Sequence, residues 1–358
     1  MNTNETQSTM GMIRVLGIED REQWISWLEQ AETYDFPHTW SYHNLHRDYG
    51  MPLLFVYKEN DHFVGITFIK RKVPNFECYD LTSVYGYSGP FSDVPFDELG
   101  PGYAERFKNA FLAFLQQEKI VTVFSGLNPF IDQLPLLNVL GGVRDNGKTV
   151  VIDLRLSVED QRRQYRRNLM TNLRAGRKKG WKVREGGTAG DIEIFLELYG
   201  SAMERLHASA RYRFDTAYVT KLLSATDFDA RMVFLDNEEG EAMCATIVIA
   251  EGRVLQAFLL ATREEYRYLS PAKVLAEEMT FLGRQLGMHY FNLGGGLGFV
   301  EDSLYHWKRG FSNLTLDYKT WRYVVNEPLY EMIIKNTGID PETPVDFFPL
   351  YRLESTTH

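Results

Sequence analysis

Residues 290–311, YFNLGGGLGFVEDSLYHWKRGF, decide the fold: an apolar strand runs into three glycines directly before a helix carrying Asp302, His306 and Lys308. Gly294, Gly295 and Gly296 can take backbone conformations closed to other residues and let a ligand approach the main chain closely. A strand-to-helix turn without any ligand explains the same glycines, so this cluster alone is a weak motif. Its meaning depends on what surrounds it.

Working outward, 289–293 reads as a strand and 302–309 as the helix after it. Ser270 and Pro271 open a helix reaching residue 286, and 314–325 offers one or two closing strands. Before these, 231–235, 242–250 and 254–261 run apolar or alternate, as a meander of strands does. Residues 150–154 form a strand, 158–179 one long basic helix ended by Gly180, and 191–207 and 214–225 two further helices. The first half shows a similar succession. Strand 12–16 and helix 18–32 precede a hairpin of 53–57 and 63–70 turned through Glu59-Asn60-Asp61; then come strand 81–87, helix 103–117 and strand 120–124. Recurrence of one element order over about 150 residues suggests duplication.

The chain has 358 residues, more than one core usually encloses, so two domains are expected. Its hydrophobic content of 44% and charged content of 24% describe a folded, soluble protein. The longest apolar runs fall short of the roughly 18 residues of a membrane span. The polar start MNTNETQSTMGM is no secretory signal. Only Cys78 and Cys244 are present, far apart, which fits a reducing cytoplasm, and the eight histidines show no metal-ligand spacing.

Net charge is −9 but uneven. Residues 155–184 hold eleven Lys or Arg against Glu159 and Asp160, a local +9 that leaves −18 for the remainder. An acidic body argues against DNA and against a broad RNA footprint, while one basic segment suggests a site for a phosphate-bearing partner. Arg163, Arg167, Arg174 and Lys178 share one side of the long helix by spacing, and Tyr165, Leu169 and Leu173 make an apolar stripe. A solvated helix face accounts for this too. Arg205, Arg211, Tyr212, Arg213 and Phe214 form a second basic and aromatic cluster, or ordinary loop packing.

The order of strand, helices, three-strand meander, helix, splayed strand, helix and closing strands resembles the GNAT N-acyltransferase fold twice over, and more narrowly the FemAB-like family of tandem GNAT proteins. Four pieces carry the resemblance: Tyr85-Gly86-Tyr87-Ser88-Gly89-Pro90; Arg166-Arg167-Asn168 with residues 174–180; Ser270-Pro271-Ala272; and Asn292-Leu293-Gly294-Gly295-Gly296 followed by Lys308-Arg309-Gly310-Phe311. It implies an α/β fold with mixed sheets in two tandem GNAT-like domains. Their expected bounds are 12–149, shaping the acceptor site, and 150–325, carrying the catalytic cleft, with 326–358 as an extension wrapped over the body.

The resemblance implies transfer of an acyl or aminoacyl group to an amine, typically in building peptidoglycan cross-bridges. The acceptor would be a small-molecule or lipid-linked envelope precursor, reached from the cytoplasm by peripheral contact. No cofactor is expected to be tightly bound; acyl-CoA and aminoacyl-tRNA are both open as donors. The family's pyrophosphate loop corresponds to Arg267-Tyr268-Leu269-Ser270-Pro271-Ala272, where Ser and Pro replace the usual glycine region. Ser270 is expected to cap the helix, so that exposed amides and the helix dipole hold an anion with Arg267 and Ala272.

Amide formation needs a proton acceptor for the amine and stabilisation of an oxyanion. By its place in the matching motif, Lys308 is the expected charge stabiliser; Asp302 and His306, four apart, are candidates for proton relay, and Tyr305 for an acid toward a thiolate. Arg163, Arg166, Arg167, Arg211, Tyr212, Gly294 and Gly295 complete the expected binding set. Plainer readings stand beside these: Asp302 as a helix cap and Lys308 as a complement to the helix dipole. A binding module without activity, holding a phosphorylated ligand on the basic helix, is the alternative function.

Overall fold

A computed structural model describes residues 11–206, 213–340 and 342–353. The chain divides into two compact units, Met1–Asn146 with Tyr318–His358, and Gly147–Asp317.

The first unit holds β1 (Met12–Gly17), α1 (Arg21–Glu29), α2 (Trp40–Leu45), β2 (Met51–Glu59), β3 (His62–Lys72), β4 (Tyr79–Thr82), β5 (Pro90–Ser92), α3 (Tyr103–Gln117), β6 (Ile120–Gly126) and α4 (Leu134–Leu140). β7 (Val143–Asp153) crosses into the second unit. The expected hairpin forms, with Asn60 at the turn in the left-handed region at φ 55°. Phe107, Phe111, Phe114 and Leu115 of α3 bury against Phe55, Phe68 and Leu81 of the sheet. β4 and β6 are parallel, and every other ladder of this unit is antiparallel.

The second unit continues with α5 (Val158–Arg163), α6 (Arg167–Arg177), β8 (Lys182–Gly186), α7 (Ala189–Arg205), α8 (Thr216–Leu223), β9 (Asp229–Asp236), β10 (Ala242–Glu251), β11 (Val254–Thr262), α9 (Pro271–Gln285), β12 (Tyr290–Gly294) and α10 (Ser303–Lys308); β13 (Thr315–Val324) and α11 (Glu327–Thr337) follow. Its strands run in the order β7-β12-β11-β10-β9-β8, and among the described residues only β11 and β12 are parallel. Both units thus repeat a meander, a crossover helix and one parallel pair.

Along residues 320–324, β13 pairs with β6 of the first unit. The segment beyond it packs there too: Ile333, Ile334 and Tyr351 join Val73, Cys78 and Val121. Asp80, fully buried, binds Arg71 at 2.7 Å, Arg352 at 2.9 Å and the Tyr351 hydroxyl at 3.1 Å. A buried carboxylate with that many donors ties the tail to the sheet by charge as well as by apolar contact.

The long basic helix is two helices. Arg166 takes extended backbone geometry between α5 and α6, and its N–H donates to Gly310 O at 2.9 Å. A tertiary bond to the Lys308-Arg309-Gly310-Phe311 segment therefore overrides helix continuity. Arg163 falls on α5 and Arg167 on α6, so the expected single charged face does not exist.

Candidate active site

β11 and β12 pair over three registers, Val254–Tyr290, Leu255–Phe291 and Gln256–Asn292, and no further. Beyond that point β11 continues beside β10 with a bulge between Ile247 and Val248, while β12 reaches Gly294. The strands part as expected, and the glycines begin where they part.

Gly294 has φ 77°, and its N–H donates to the Asn292 side-chain Oδ1 at 2.9 Å. The glycines beyond it admit the protein's own chain. A Cβ on Gly295 would lie 2.5 Å from Phe299 Cδ1 and 2.9 Å from Lys148 O; one on Gly296 would lie 2.1 Å from Val300 O and 2.3 Å from Asp302 Oδ1. Gly296→Ala is therefore expected to cost about 1–3 kcal/mol and to dislodge the Asp302 cap; an unchanged melting temperature would refute this packing.

Lys308, at the end of α10, donates from Nζ to Gly295 O at 2.6 Å. Burial lowers its pKa to about 8, against the opposing pull of Asp302. The ammonium thus sits on the carbonyl of the glycine turn and does not point away into solvent. Asp302 is the α10 N-cap: Oδ1 accepts from Tyr305 N at 2.8 Å and Oδ2 from Leu297 N at 3.0 Å. The Tyr305 bond leads in holding its pKa below the usual carboxylate range. Both carboxylate oxygens are engaged in this cap, so the sequence spacing to His306 does not produce a relay bond. His306 is exposed, with its carbonyl accepting from Arg166 Nη1 at 3.2 Å. Tyr305 is buried in the unit's core cluster, where its ring packs; that position corrects the expectation of an acid reaching a donor thiolate.

The basic segment divides by partner. Arg163 is spent on Glu159 at 2.7 Å and Asp160 at 2.6 Å, on the surface. Arg162 binds the buried Glu277 of α9 at 2.8 Å, and Arg177 binds the other oxygen of the same carboxylate. Arg184 pairs with Asp191 and Asp236, and Arg155 with Asp153. Of the eleven basic residues, Arg162, Arg177 and Arg184 are met by acids distant in sequence, Glu277 and Asp236, while Arg155 and Arg163 pair with acids close by. Arg167, Arg174, Lys178, Lys179 and Lys182 remain exposed with no ion-pair partner among the described residues.

At the α9 start, Ser270 occupies the left-handed region at φ 55° and its side chain makes no cap bond, contrary to expectation. Arg267 reaches Glu264 at 3.0 Å, and Ala272 is half-buried in the first turn. Arg211 and Tyr212 lie outside the described residues; of their neighbours, Arg205 pairs with Glu264 at 2.7 Å and Phe214 stacks on Tyr218 with centroids 4.3 Å apart.

Residues 161–309 match the family model of the acetyltransferase (GNAT) domain. These residues have the GNAT fold. The match runs from within the basic segment to Lys308 and Arg309. No curated protein matches this sequence. Among solved structures the chain is similar to FemX, at 14% identity and TM-score 0.68, covering 89% of this chain and 99% of that one. It is similar to L-PGS from Bacillus licheniformis at 13% identity and TM-score 0.57, covering 88% and 96%. A third likeness is to the C-terminal domain ascribed to a lysylphosphatidylglycerol synthetase from Agrobacterium fabrum, at 14% identity and TM-score 0.52, covering 89% and 95%. At such identities the likeness is one of fold, and in fold the chain agrees with the FemAB-like tandem GNAT proteins over most of its length.

Three features of this segment were not singled out from sequence. Glu277 anchors α5 and α6 to α9; Lys273 Nζ binds Asn172 Oδ1 at 3.0 Å; and Gln256 ends the parallel ladder opposite Asn292, which the glycine motif already contained. Gln256 carried a signal, since it is a polar residue inside an apolar strand.

Among the described residues no helix is long and apolar enough to cross a membrane, and no group of three or more His, Cys, Asp or Glu could hold a metal ion.

Proposed function

We propose that the protein is an N-acyltransferase or aminoacyltransferase that forms an amide on an amine of a phosphate-bearing cell-envelope precursor, of peptidoglycan or surface polysaccharide. The observation that carries this reading is the Lys308 ammonium held on Gly295 O where β12 leaves β11. In the reaction the amine lone pair attacks the donor carbonyl, the oxyanion forms and collapses, and the bond to the donor sulfur or oxygen breaks. The amine gives up its proton. A cation with a lowered pKa beside that carbonyl stabilises the oxyanion or the departing group. His306, exposed on the same helix, is the group proposed to take the proton, with Asp302 holding the helix start.

Arg167, Arg174 and Lys178 supply charge for a phosphate-bearing acceptor. The names of the similar structures support an envelope role, since lysylphosphatidylglycerol is itself a phosphate-bearing lipid carrying an amino acid. The donor is acyl-CoA or aminoacyl-tRNA, and the reaction is placed in the cytoplasm with peripheral contact to the envelope.

The second reading, a binding module without turnover, is favoured by one observation: Arg167, Arg174 and Lys178 are exposed with no ion-pair partner among the described residues, as a phosphate-holding surface requires. Incubating the protein with acyl-CoA or charged tRNA and candidate amines separates the two. A new amide in the product supports the enzyme, and saturable binding of both substrates without product supports the module.

A further inference from the structure

α10 has six residues, well short of the roughly 12–15 that let a helix persist alone, so its direction is set by what holds its two ends. Asp302 caps the first. At the other end Gly310 N donates to Trp307 O and Phe311 N to Lys308 O, both at 3.0 Å, and this tightened last turn passes over His306 O. Arg166 takes up that carbonyl, donating from Nη1 at 3.2 Å, and its own N–H donates to Gly310 O at 2.9 Å. One residue thus grips the chain on both sides of Lys308, at the second residue before it and the second after.

Arg166 can do this because its own place is fixed. It stands in extended geometry, φ −61° and ψ 145°, at the break between α5 and α6. Arg162 and Arg177, one on each side of the break, bind the two oxygens of the buried Glu277 carboxylate on α9. Tyr165 sets its ring edge-on to Phe311 with centroids 5.6 Å apart, and Gln164 Oε1 accepts from Asn313 N at 3.3 Å. The Arg166 side chain itself is exposed, so the core does not need it for packing. Lys308 does need a frame: its ammonium ends a flexible four-carbon stem and rests on Gly295 O.

We infer that Arg166 is a positioning residue, which fixes the end of α10 so that the Lys308 ammonium is held on Gly295 O. What the positioning is for rests on the transferase reading. A group misplaced by about 1 Å can cost on the order of 10²-fold in rate. The same anchoring keeps Lys308 buried, and burial lowers its pKa to about 8. Of the charged and titratable groups around it, Asp302, His306 and Arg309 on its own segment and Arg166 opposite, Asp302 is the one that pulls this value back up.

The test is competitive labelling of the full chain with acetic anhydride, which reacts with neutral amines, across about pH 6.5–11, with Lys308 followed by peptide mass spectrometry. The wild-type midpoint is expected near 8. Arg166→Ala removes the grip on His306 O and is expected to raise the midpoint by about one pH unit or more, a tenfold change in the ionisation constant. Arg166→Lys, which keeps the charge and a donor, should restore most of the wild-type value. An unchanged midpoint in Arg166→Ala overturns the inference. So does an equal rise in Arg167→Met, which removes a neighbouring charge without touching this anchor. Lys273, whose pKa burial also lowers, is the internal control: positioning moves Lys308 alone, whereas a rise at both lysines marks general loosening and overturns the inference. Should the alanine variant fail to fold, Arg166→Met keeps the apolar stem and gives the same reading. The labelling needs no substrate. A shifted midpoint in a protein that forms no amide therefore leaves this inference standing and sinks the transferase reading, and amide formation with an unshifted midpoint does the reverse.

Discussion

Lys308→Ala is expected to lower turnover by about 10²–10³ while leaving the protein folded. That range is typical of removing one preorganised group that stabilises developing charge. Among the described residues the Lys308 side chain has Gly295 O as its one hydrogen-bond partner, and burial works against its charge. Lys308→Met should accordingly melt no lower than wild type, as expected where function is held at the expense of stability. The pH profile adds a second readout. With a pKa of about 8, the ammonium is present below that value and lost above it, so the rate limb assigned to Lys308 falls as pH rises through 8. Lys308→Arg, whose charge persists, should move that limb to higher pH. Equal loss of activity and melting temperature in Lys308→Ala would instead assign the lysine to the scaffold.

The second large effect concerns the first unit. His38, His43 and His46 all have pKa values lowered chiefly by burial, His38 to about 4 and His43 to about 3. His38 Nδ1 accepts from Asp35 N at 3.0 Å, which leaves Nε2 to donate to Gly89 O at 3.2 Å, so both ring nitrogens are committed in the neutral form. His43 Nδ1 faces Thr39 O at 3.0 Å, and its buried Nε2 has no partner to receive a new proton's bond. An unfolded chain takes up these protons near pH 6.5, and in the folded one His38 and His43 resist them down to about pH 4. Stability is therefore fully present above 6.5 and declines as pH falls below it. Each contributes about 1.4 kcal/mol per pH unit, so His38 and His43 together contribute roughly 3 kcal/mol per unit between about pH 6 and 4, and His46 acts in the same direction. Against a typical total of about 5–15 kcal/mol, the first unit should lose much of its stability between about pH 6 and 4. Melting curves from pH 7.5 to 4.5 check this. His43→Gln should remove about half of the slope that His38 and His43 carry, and a flat stability over that interval would refute the account.

Much of the architecture was legible in the residues. Period-two runs such as 242–250 and 254–261 can bury only as strands, and Ser270-Pro271 and Gly180 punctuate helices through backbone chemistry that no distant contact needs to supply. The parting of β11 and β12 was readable because three glycines follow an apolar strand. Lys308 was readable because a single motif places it thirteen residues from Gly295, though the motif did not show that its ammonium would bind that residue's carbonyl.

What the sequence determined by itself was local: strands, helix starts, turns and the repeated element order, each set by propensities acting within a few residues. Tertiary structure alone decided the rest. It broke the basic segment at Arg166 through a bond to Gly310, met Arg162 and Arg177 with Glu277 from α9, sent the tail to Asp80, and filled the space beside Gly295 and Gly296 with Phe299 and Asp302. Charges and donors find partners by distance in space, and separation along the chain does not predict that distance.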